Sequence, residues 1–364
     1  MNTETQRITV KDFLKKDSTV KGIESLKAVF FALITGIFLL LISGHTNLIS
    51  NLFNGFWDKN FGNSLYTANT IAKLSYLLPL GLSLMISFRM RLFNIGAAGQ
   101  AIGGGLFAYI FGSNLNAAGF GWVFSLIISV VVGGVIAALI GFLKVEFKVN
   151  EVISSIMINW IIFYFMKAVI YSGNFSLEAG GDLRMDWIYD LFNVTSGKIN
   201  FGLFIAIPLP FLFLFLYKKT NWGYKQDLIG NNPKTGDYLG IDSKKEIIRT
   251  MALSGALAGL AGGIYFIGYD VNLPTDQQKD IMPWAFDGIT IALLGFNSPI
   301  GIIISSFTFS LFNDSIDQTI GNYGIVSVMV AIMILSIARS TYKIEYGNRS
   351  YLKNIKSKFS RGDK

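Results

Sequence analysis

The segment from Arg89 to Gly105, RMRLFNIGAAGQAIGGG, places two polar amides, Asn94 and Gln100, inside an otherwise apolar chain. A carboxamide carries two N–H donors and one carbonyl acceptor, so both residues could hold a neutral polar molecule by hydrogen bonds. Elsewhere in apolar runs, Asn159 offers a further amide, and Trp160 and Phe286 offer aromatic faces for stacking. Non-covalent binding in a polar-lined cleft is therefore one interpretation of these five residues. The alternative for Asn94 and Gln100 is hydrogen bonding that holds their own turn together.

Groups for covalent or metal chemistry are scarce. The chain has no cysteine, and its single histidine, His45, falls at the outer end of the first apolar run. We find no HExxH, CxxC or carboxylate cluster, so no metal site and no catalytic residue are predicted. An intramembrane protease would need a Ser/His pair or two membrane-facing aspartates, which this pattern does not supply. Gly197-Lys198 is followed by Ile199, so a phosphate-binding GxxxxGK[ST] loop is also missing, and we expect no cofactor bound by this chain.

Composition indicates an all-α, polytopic integral membrane protein. Of 364 residues, 52% are hydrophobic and 15% are charged, against about 25% charged in soluble domains. Successive apolar runs are each about long enough to cross ~30 Å of hydrocarbon. We predict about ten crossings, at residues 28–43, 69–88, 95–112, 119–141, 151–171, 200–217, 248–268, 284–296, 299–313 and 322–338.

Charge distribution predicts the orientation. With the amino terminus inside, 25 of the 31 Lys and Arg residues fall on the inner side, as the positive-inside bias requires. Both termini are therefore predicted to be cytoplasmic, in a multi-pass protein of the plasma membrane. The net charge of +8 indicates this bias rather than a nucleic-acid partner. The predicted divisions are a cytoplasmic leader (1–27), a transmembrane domain (28–340) and a basic cytoplasmic tail (341–364).

The longest inner loop, about residues 218–247, contains the helix-breaking sequence GNNP, Gly230 to Pro233. A short helix is expected from Lys234 to Leu239, ended by Gly240. Such a helix could dock a cytoplasmic partner, or the segment could be an ordinary loop. The outer loops are short, so high-affinity capture of a solute would fall to a separate protein.

Two further patterns concern packing. The glycines of SGALAGLAGG, namely Gly255, Gly259 and Gly263, form overlapping GxxxG motifs, which allow helix backbones to approach closely in lipid. The two shortest spans, 284–296 and 299–313, are separated by GFNSP, so we expect short, broken or re-entrant helices inside the bundle. Asp287, near the start of the first, is either a functional carboxylate or a helix-capping residue.

Four stretches, in order and spacing, resemble permease subunits of ATP-binding-cassette (ABC) importers for nucleosides and simple sugars. They are FNIGAAGQ (Phe93 to Gln100), NEVISSIMINWI (Asn150 to Ile161), GNNPKTGDYLGI (Gly230 to Ile241) with the following SGALAGLAGG, and FDGITIALLGFNSPIG (Phe286 to Gly301). The NEVISSIM stretch and the chain length favour the nucleoside branch, which is served by basic-membrane-protein-type lipoproteins. One departure is Ala98, where the family commonly has an acidic residue before the Gly-Gln pair.

This resemblance implies a type II-like ABC importer permease that acts in the lipid bilayer and passes nucleosides between itself and a second, related permease. It also implies a cytoplasmic ATPase that binds ATP and Mg²⁺, and an extracellular lipid-anchored solute-binding protein. The resemblance also implies a coupling element, which would contact the ATPase and transmit its movement into the membrane. Its residues would be Gly230, Asn231, Asn232, Pro233, Asp237, Tyr238 and Gly240. The alternatives are a permease for a simple sugar such as ribose or galactose, or an ion-coupled secondary transporter.

Overall fold

A computed structural model describes residues 64–114, 121–172, 183, 186–191, 198–269 and 283–320, together with isolated positions between 27 and 62. Every element in the continuous ranges is helical. The tenth predicted span, the first span, the leader and the basic tail lie outside these continuous ranges. The count of ten crossings and the division into leader, membrane domain and tail therefore stay predictions.

The described ranges contain thirteen α-helices and one short 3₁₀ helix. They are α1 (Ser64–Ala72), α2 (Leu74–Arg89), α3 (Ala97–Asn114), α4 (Gly121–Phe147), α5 (Glu151–Tyr171), α6 (Asp186–Leu191), α7 (Gly202–Ala206), α8 (Pro208–Lys219), α9 (Asn221–Asn231), α10 (Pro233–Tyr238), α11 (Ser243–Gly268), the 3₁₀ helix (Pro283–Phe286), α12 (Asp287–Leu294) and α13 (Pro299–Ile320). Five stretches are long and apolar enough to cross a membrane: 64–89, 121–147, 151–171, 202–219 and 243–268. The protein is thus a multi-pass, all-helical membrane protein.

Local sequence signals set the ends of these helices. The Asn150 side chain accepts the backbone N–H of Val152 at 2.8 Å and so caps α5. Asp242 caps α11 in the same way by accepting from the Lys245 N–H at 3.1 Å. The end of α2 is a Schellman turn, with Arg91 in the left-handed region at φ 56°. A side chain with a Cβ atom is strained in that region, so other contacts must hold the turn.

The bundle is built around α11, which packs most extensively on α4, α3 and α2. Glycines allow this approach: a Cβ atom added to Gly104 of α3 would lie 2.7 Å from Gly259 Cα and 2.8 Å from the Ser129 carbonyl oxygen. Added to Gly133 of α4, it would meet the Gly255 carbonyl oxygen. We call this three-helix meeting point, formed by Gly104, Gly133, Gly255 and Gly259, the glycine junction.

The two short predicted spans form separate helices, α12 and α13, joined by a turn with Phe296 and Asn297 at positive φ. A Cβ atom on Gly288 of α12 would lie 2.7 Å from the Leu80 side chain of α2. Buried residues dominate α12, which confirms that it lies within the bundle. In contrast, α13 leaves one apolar edge exposed, formed by Ile300, Ile304 and Phe307.

Candidate functional site

Asn94 and Gln100 pair with each other at the start of α3. Asn94 Nδ2 donates to Gln100 Oε1 at 2.9 Å, and Gln100 Nε2 donates back to Asn94 Oδ1 at 2.8 Å. Asn94 Nδ2 also donates to Ser254 Oγ at 2.8 Å. Both amides are 0% exposed. This geometry favours the structural alternative, and their contact with a solute stays a prediction.

Ser254 extends the pair into a network between α11 and α2. Its hydroxyl donates to the Ser83 carbonyl oxygen at 2.8 Å and lies 3.2 Å from Ser83 Oγ. Ser87 Oγ is 3.5 Å away. We call Ser83, Ser87, Asn94, Gln100 and Ser254 the amide network. It joins three helices through buried hydrogen bonds, and buried polar groups of this kind are costly to leave unpaired.

Asn159 ties α5 to the same turn. Its Oδ1 accepts the backbone N–H of Gly99 at 2.8 Å, and its Nδ2 donates to the Ile95 carbonyl oxygen at 3.1 Å. The first N–H groups of a helix have no partner within the helix, so Asn159 satisfies one that α3 leaves open. Gly99 is needed here because a Cβ atom would lie 2.7 Å from Asn159 Oδ1.

Trp160 and Phe286 are more accessible than the three amides. Trp160 is 37% exposed and stacks against Tyr164 with ring centroids 5.9 Å apart. Phe286 is half-buried at the end of the 3₁₀ helix, against the apolar cluster that contains Phe163 and Phe266. Both rings therefore reach the surface of the bundle in part, whereas Asn94 and Gln100 are fully enclosed.

Asp287 is the first residue of α12 and follows the N-cap position, Phe286, so it lies in the first turn of the helix rather than at the cap. The adjoining cluster consists of aromatic rings, with Tyr265 and Trp284 stacked at a centroid distance of 4.0 Å. Tyr76 meets both rings edge-on. The rings of Tyr76, Tyr265 and Trp284 therefore pack against one another.

The turn after α2 joins the segment predicted to be the longest inner loop through an ion pair. Arg89 Nε and Nη2 donate to the two carboxylate oxygens of Asp227 on α9, at 3.2 and 3.0 Å. The Arg89 guanidinium also lies 3.9 Å from the centre of the Tyr217 ring. A Cβ atom on Gly230 would meet the Arg89 carbonyl oxygen at 2.5 Å. We call Arg89, Tyr217, Asp227 and Gly230 the arginine clamp.

A second contact between α9 and the core lies beside the clamp. Gln226 Nε2 donates to Thr250 Oγ1 at 2.7 Å, and this hydroxyl also contacts Met90 Sδ at 2.8 Å. Gln226 and Thr250 are buried. Thus α9 touches α11 and the turn that leads to Asn94.

The short helix expected between Lys234 and Leu239 is confirmed as α10. Asn231 ends α9, Asn232 is extended, and Pro233 opens α10. Gly240 ends it at φ 73°, and the Ile241 N–H bonds to the Gly236 carbonyl oxygen. The sequence pattern of residues 218–247 predicts a loop with one short helix, whereas α9 makes most of the first half helical. Asp237 is exposed, as are Tyr238 at 89% and Leu239 at 60%.

Several of these residues were not identified from sequence. Ser254 was noted only as part of a glycine motif, and Arg89 only as an orientation signal. Asp227 lies 138 positions from Arg89, so no local spacing could connect the two. The glycine motif of α11 lacked an identified partner, which the structure shows to be Gly133 of α4 and Gly104 of α3.

Comparison with known proteins gives the family. A model of the permease component of the branched-chain amino acid transport system matches residues 66–338. The chain is 29% identical to the nucleoside ABC transporter permease NupB of Lactococcus lactis, over 88% of this chain and 92% of that protein. It is 26% identical to the guanosine ABC transporter permease NupP of Bacillus subtilis, over 88% and 94% respectively.

A third relative is NupC, also a nucleoside ABC transporter permease of Lactococcus lactis, which is 26% identical over 63% of this chain and 74% of its own. One organism thus carries two related permeases of this kind, which supports a second permease subunit beside this chain. No solved structure matches. The long apolar helices and the match over residues 66–338 agree: this chain belongs to the permease component family of the branched-chain amino acid transport system, and is a membrane transport subunit of the ABC type rather than an enzyme.

Proposed function

We propose that the chain is one of two permease subunits of an ATP-driven importer for nucleosides. The observation that carries the solute class is the similarity to NupB and NupP, which extends over nearly the whole of all three chains. ATP and Mg²⁺ would be bound by a separate cytoplasmic ATPase, and the solute would be delivered by a lipid-anchored receptor outside. Both termini would be cytoplasmic in the plasma membrane, as the distribution of Lys and Arg indicates.

The coupling element of the proposed importer is α10 with its flanks, from Gly230 to Gly240. Its support is the exposure of Tyr238 and Leu239, since large apolar side chains exposed together mark sites of protein interaction. The bidentate clamp between Arg89 and Asp227 would carry a movement of α9 into the end of α2. The turn at Arg91 then leads directly into the amide network.

The solute pathway would run along the outside of this bundle, between the two permeases. Trp160 and Phe286 are accessible enough to form part of its wall. Asn94, Gln100 and Asn159 would act one layer deeper, by holding the start of α3 in place through their hydrogen bonds. Any direct solute contact by these three amides would require the turn to open.

Competition for uptake tests the solute class. The complete complex of both permeases, ATPase and receptor would be reconstituted, and uptake of labelled guanosine measured against unlabelled purine nucleosides, pyrimidine nucleosides, free bases and ribose. We expect inhibition by nucleosides. Inhibition by ribose alone would identify a sugar importer, and uptake that survives omission of the ATPase would identify a secondary transporter.

The coupling element is tested by a double variant, Tyr238→Ala with Leu239→Ala. We expect loss of ATPase copurification, or ATP hydrolysis that no longer responds to loaded receptor, while the permease still folds. Tyr224→Ala is a matched control, because Tyr224 is 65% exposed on neighbouring α9. Equal behaviour of the two variants would contradict a docking role for α10.

A further inference from the structure

One outward stripe of α5 combines aromatic rings with polar atoms. Trp160, Tyr164, Lys167 and Tyr171 follow the i, i+4, i+7, i+11 spacing, which places them on one helix face. Tyr164 is 59% exposed and Tyr171 is 48% exposed. We call these four residues the α5 stripe.

The exposed face of α4 provides the contrast. From Phe124 to Phe142 its large exposed side chains carry no polar atom, and the exposed Glu146 lies in the last turn; the apolar side chains are Phe124, Ile127, Val131, Val135, Leu139 and Phe142. Such a face is suited to lipid tails. The α5 stripe instead presents an indole N–H, two phenol hydroxyls and an ammonium group. Polar and ionisable groups within a span generally face protein or water rather than hydrocarbon.

Depth along the helix strengthens this contrast. At 1.5 Å per residue, Trp160 lies about 14 Å and Tyr164 about 20 Å from the start of α5 at Glu151, which is 21 residues long. Trp and Tyr side chains that anchor a protein to the membrane surface are found near the ends of spans. Trp160 and Tyr164 lie near the middle, so surface anchoring does not explain them.

The two central rings form a ready platform. Trp160 and Tyr164 have centroids 5.9 Å apart and an interplanar angle of 26°. Lys167 lies one turn further along, with Nζ 5.9 Å from the centre of the Tyr171 ring. A flat base can stack on aromatic faces of this kind, and the phenol hydroxyl can both donate to and accept from a sugar hydroxyl.

We propose that the α5 stripe is a solute-contact surface, on which the base of a nucleoside stacks against Trp160 and Tyr164 as it passes between the permeases. This inference rests on the proposed function and adds Tyr164 as a residue that sets apparent affinity. The affinity of this surface for a nucleoside is low, because the solute contacts exposed rings and is not enclosed in a pocket. It therefore favours passage over retention.

The test is nucleoside uptake by the complete reconstituted complex carrying Tyr164→Leu or Tyr164→Phe. We expect Tyr164→Leu to raise the apparent KM for guanosine about three- to tenfold, as loss of one aromatic contact implies. Tyr164→Phe keeps the ring and should change KM by less than about twofold.

Phe124→Leu is the matched control. Phe124 is 55% exposed on α4, and this substitution also replaces an exposed aromatic ring by leucine. Equal uptake by Tyr164→Leu and Phe124→Leu complexes would overturn the proposal. Loss of the second permease from the purified Tyr164→Leu complex would also overturn it, by identifying the stripe as a subunit contact. Failure of the wild-type complex to carry any nucleoside would instead refute the proposed function itself.

Discussion

The hydrogen bonds between the buried residues Asn94 and Gln100 allow a quantitative prediction of how substitutions there change stability and nucleoside uptake. The changes are Asn94→Leu, Gln100→Met and the two together, chosen because each replaces an amide by an apolar side chain of similar length. Asn94→Leu leaves both the donor and the acceptor of Gln100 without a partner, because the pair exchanges two hydrogen bonds of 2.9 and 2.8 Å. Gln100→Met leaves only the Asn94 acceptor without its partner, because Asn94 Nδ2 still donates to Ser254 Oγ.

The expected energies follow from that geometry. A buried donor or acceptor left unpaired costs about 1–3 kcal/mol, whereas replacing both partners by apolar groups of similar shape is nearly neutral. Asn94→Leu, which leaves two groups unpaired, should therefore lower the free energy of unfolding by about 2–4 kcal/mol, and Gln100→Met, which leaves one, by about 1–3 kcal/mol. The double variant should lose less than the sum, with a coupling energy of about 1–3 kcal/mol.

Two measurements on the purified complexes separate structure from transport. The first is the free energy of unfolding of the permease in mixed micelles, and the second is nucleoside uptake per folded complex in proteoliposomes. If Asn94 and Gln100 have only a structural role, uptake per folded complex in the double variant should equal that of wild type. If the double variant is as stable as wild type but takes up no nucleoside, our interpretation is wrong and the two amides contact the solute. Val135→Ala, on the exposed face of α4, serves as the control for both measurements.

Three further predictions concern other parts of the bundle. Gly259→Leu should destabilise the permease by at least about 1–3 kcal/mol, because its Cβ atom meets the Ser129 carbonyl oxygen; an unchanged thermal midpoint in detergent would contradict the glycine junction. Arg89→Lys keeps the charge but loses the two-bonded fork, so nucleosides imported per ATP should fall about fivefold, as ~1 kcal/mol for a half-exposed pair implies; an unaltered ratio would exclude the clamp from coupling. The hydrogen bond from the Lys245 N–H lowers the pKa of Asp242. The Asp242 cap therefore stabilises α11 fully at pH values above the ordinary carboxyl pKa of 3.8, and this stabilisation is lost as the pH falls through the lowered pKa of the folded protein. The stability difference between wild type and Asp242→Ala should shrink on acidification, and a constant difference would argue against the cap.

The sequence predicted the helical class, the membrane location and most helix positions, because long apolar runs and Lys/Arg placement depend on local composition. The turn at Gly240 was also predictable, since glycine readily adopts the positive φ that the end of α10 requires. Helix α9 was not predicted. Its sequence, NWGYKQDLIGN, is weakly apolar and contains two glycines, so tertiary contacts through Gln226 and Asp227 supply what local propensity does not.

The site was harder to predict because amides fit two roles equally well. Spacing places Asn94 and Gln100 six residues apart, but only the fold shows that each completes the other's hydrogen bonds. Asn159 could not be assigned to the start of α3 without knowing that α5 crosses Gly99. Trp160 was identified by residue type. Tyr164 becomes a candidate only because its side chain is exposed in the structure, which no sequence pattern reveals.

The glycine junction has a consequence for how this permease changes shape. Where backbones of α3, α4 and α11 touch without side chains between them, there is no layer that could slide or repack, so relative motion of these helices would separate main-chain atoms directly. The three helices should therefore turn as a rigid body during a transport cycle. A hinge would then fall at their periphery, in the turn between α4 and α5, and an alternating cleft would open by rotation of this block rather than by its deformation.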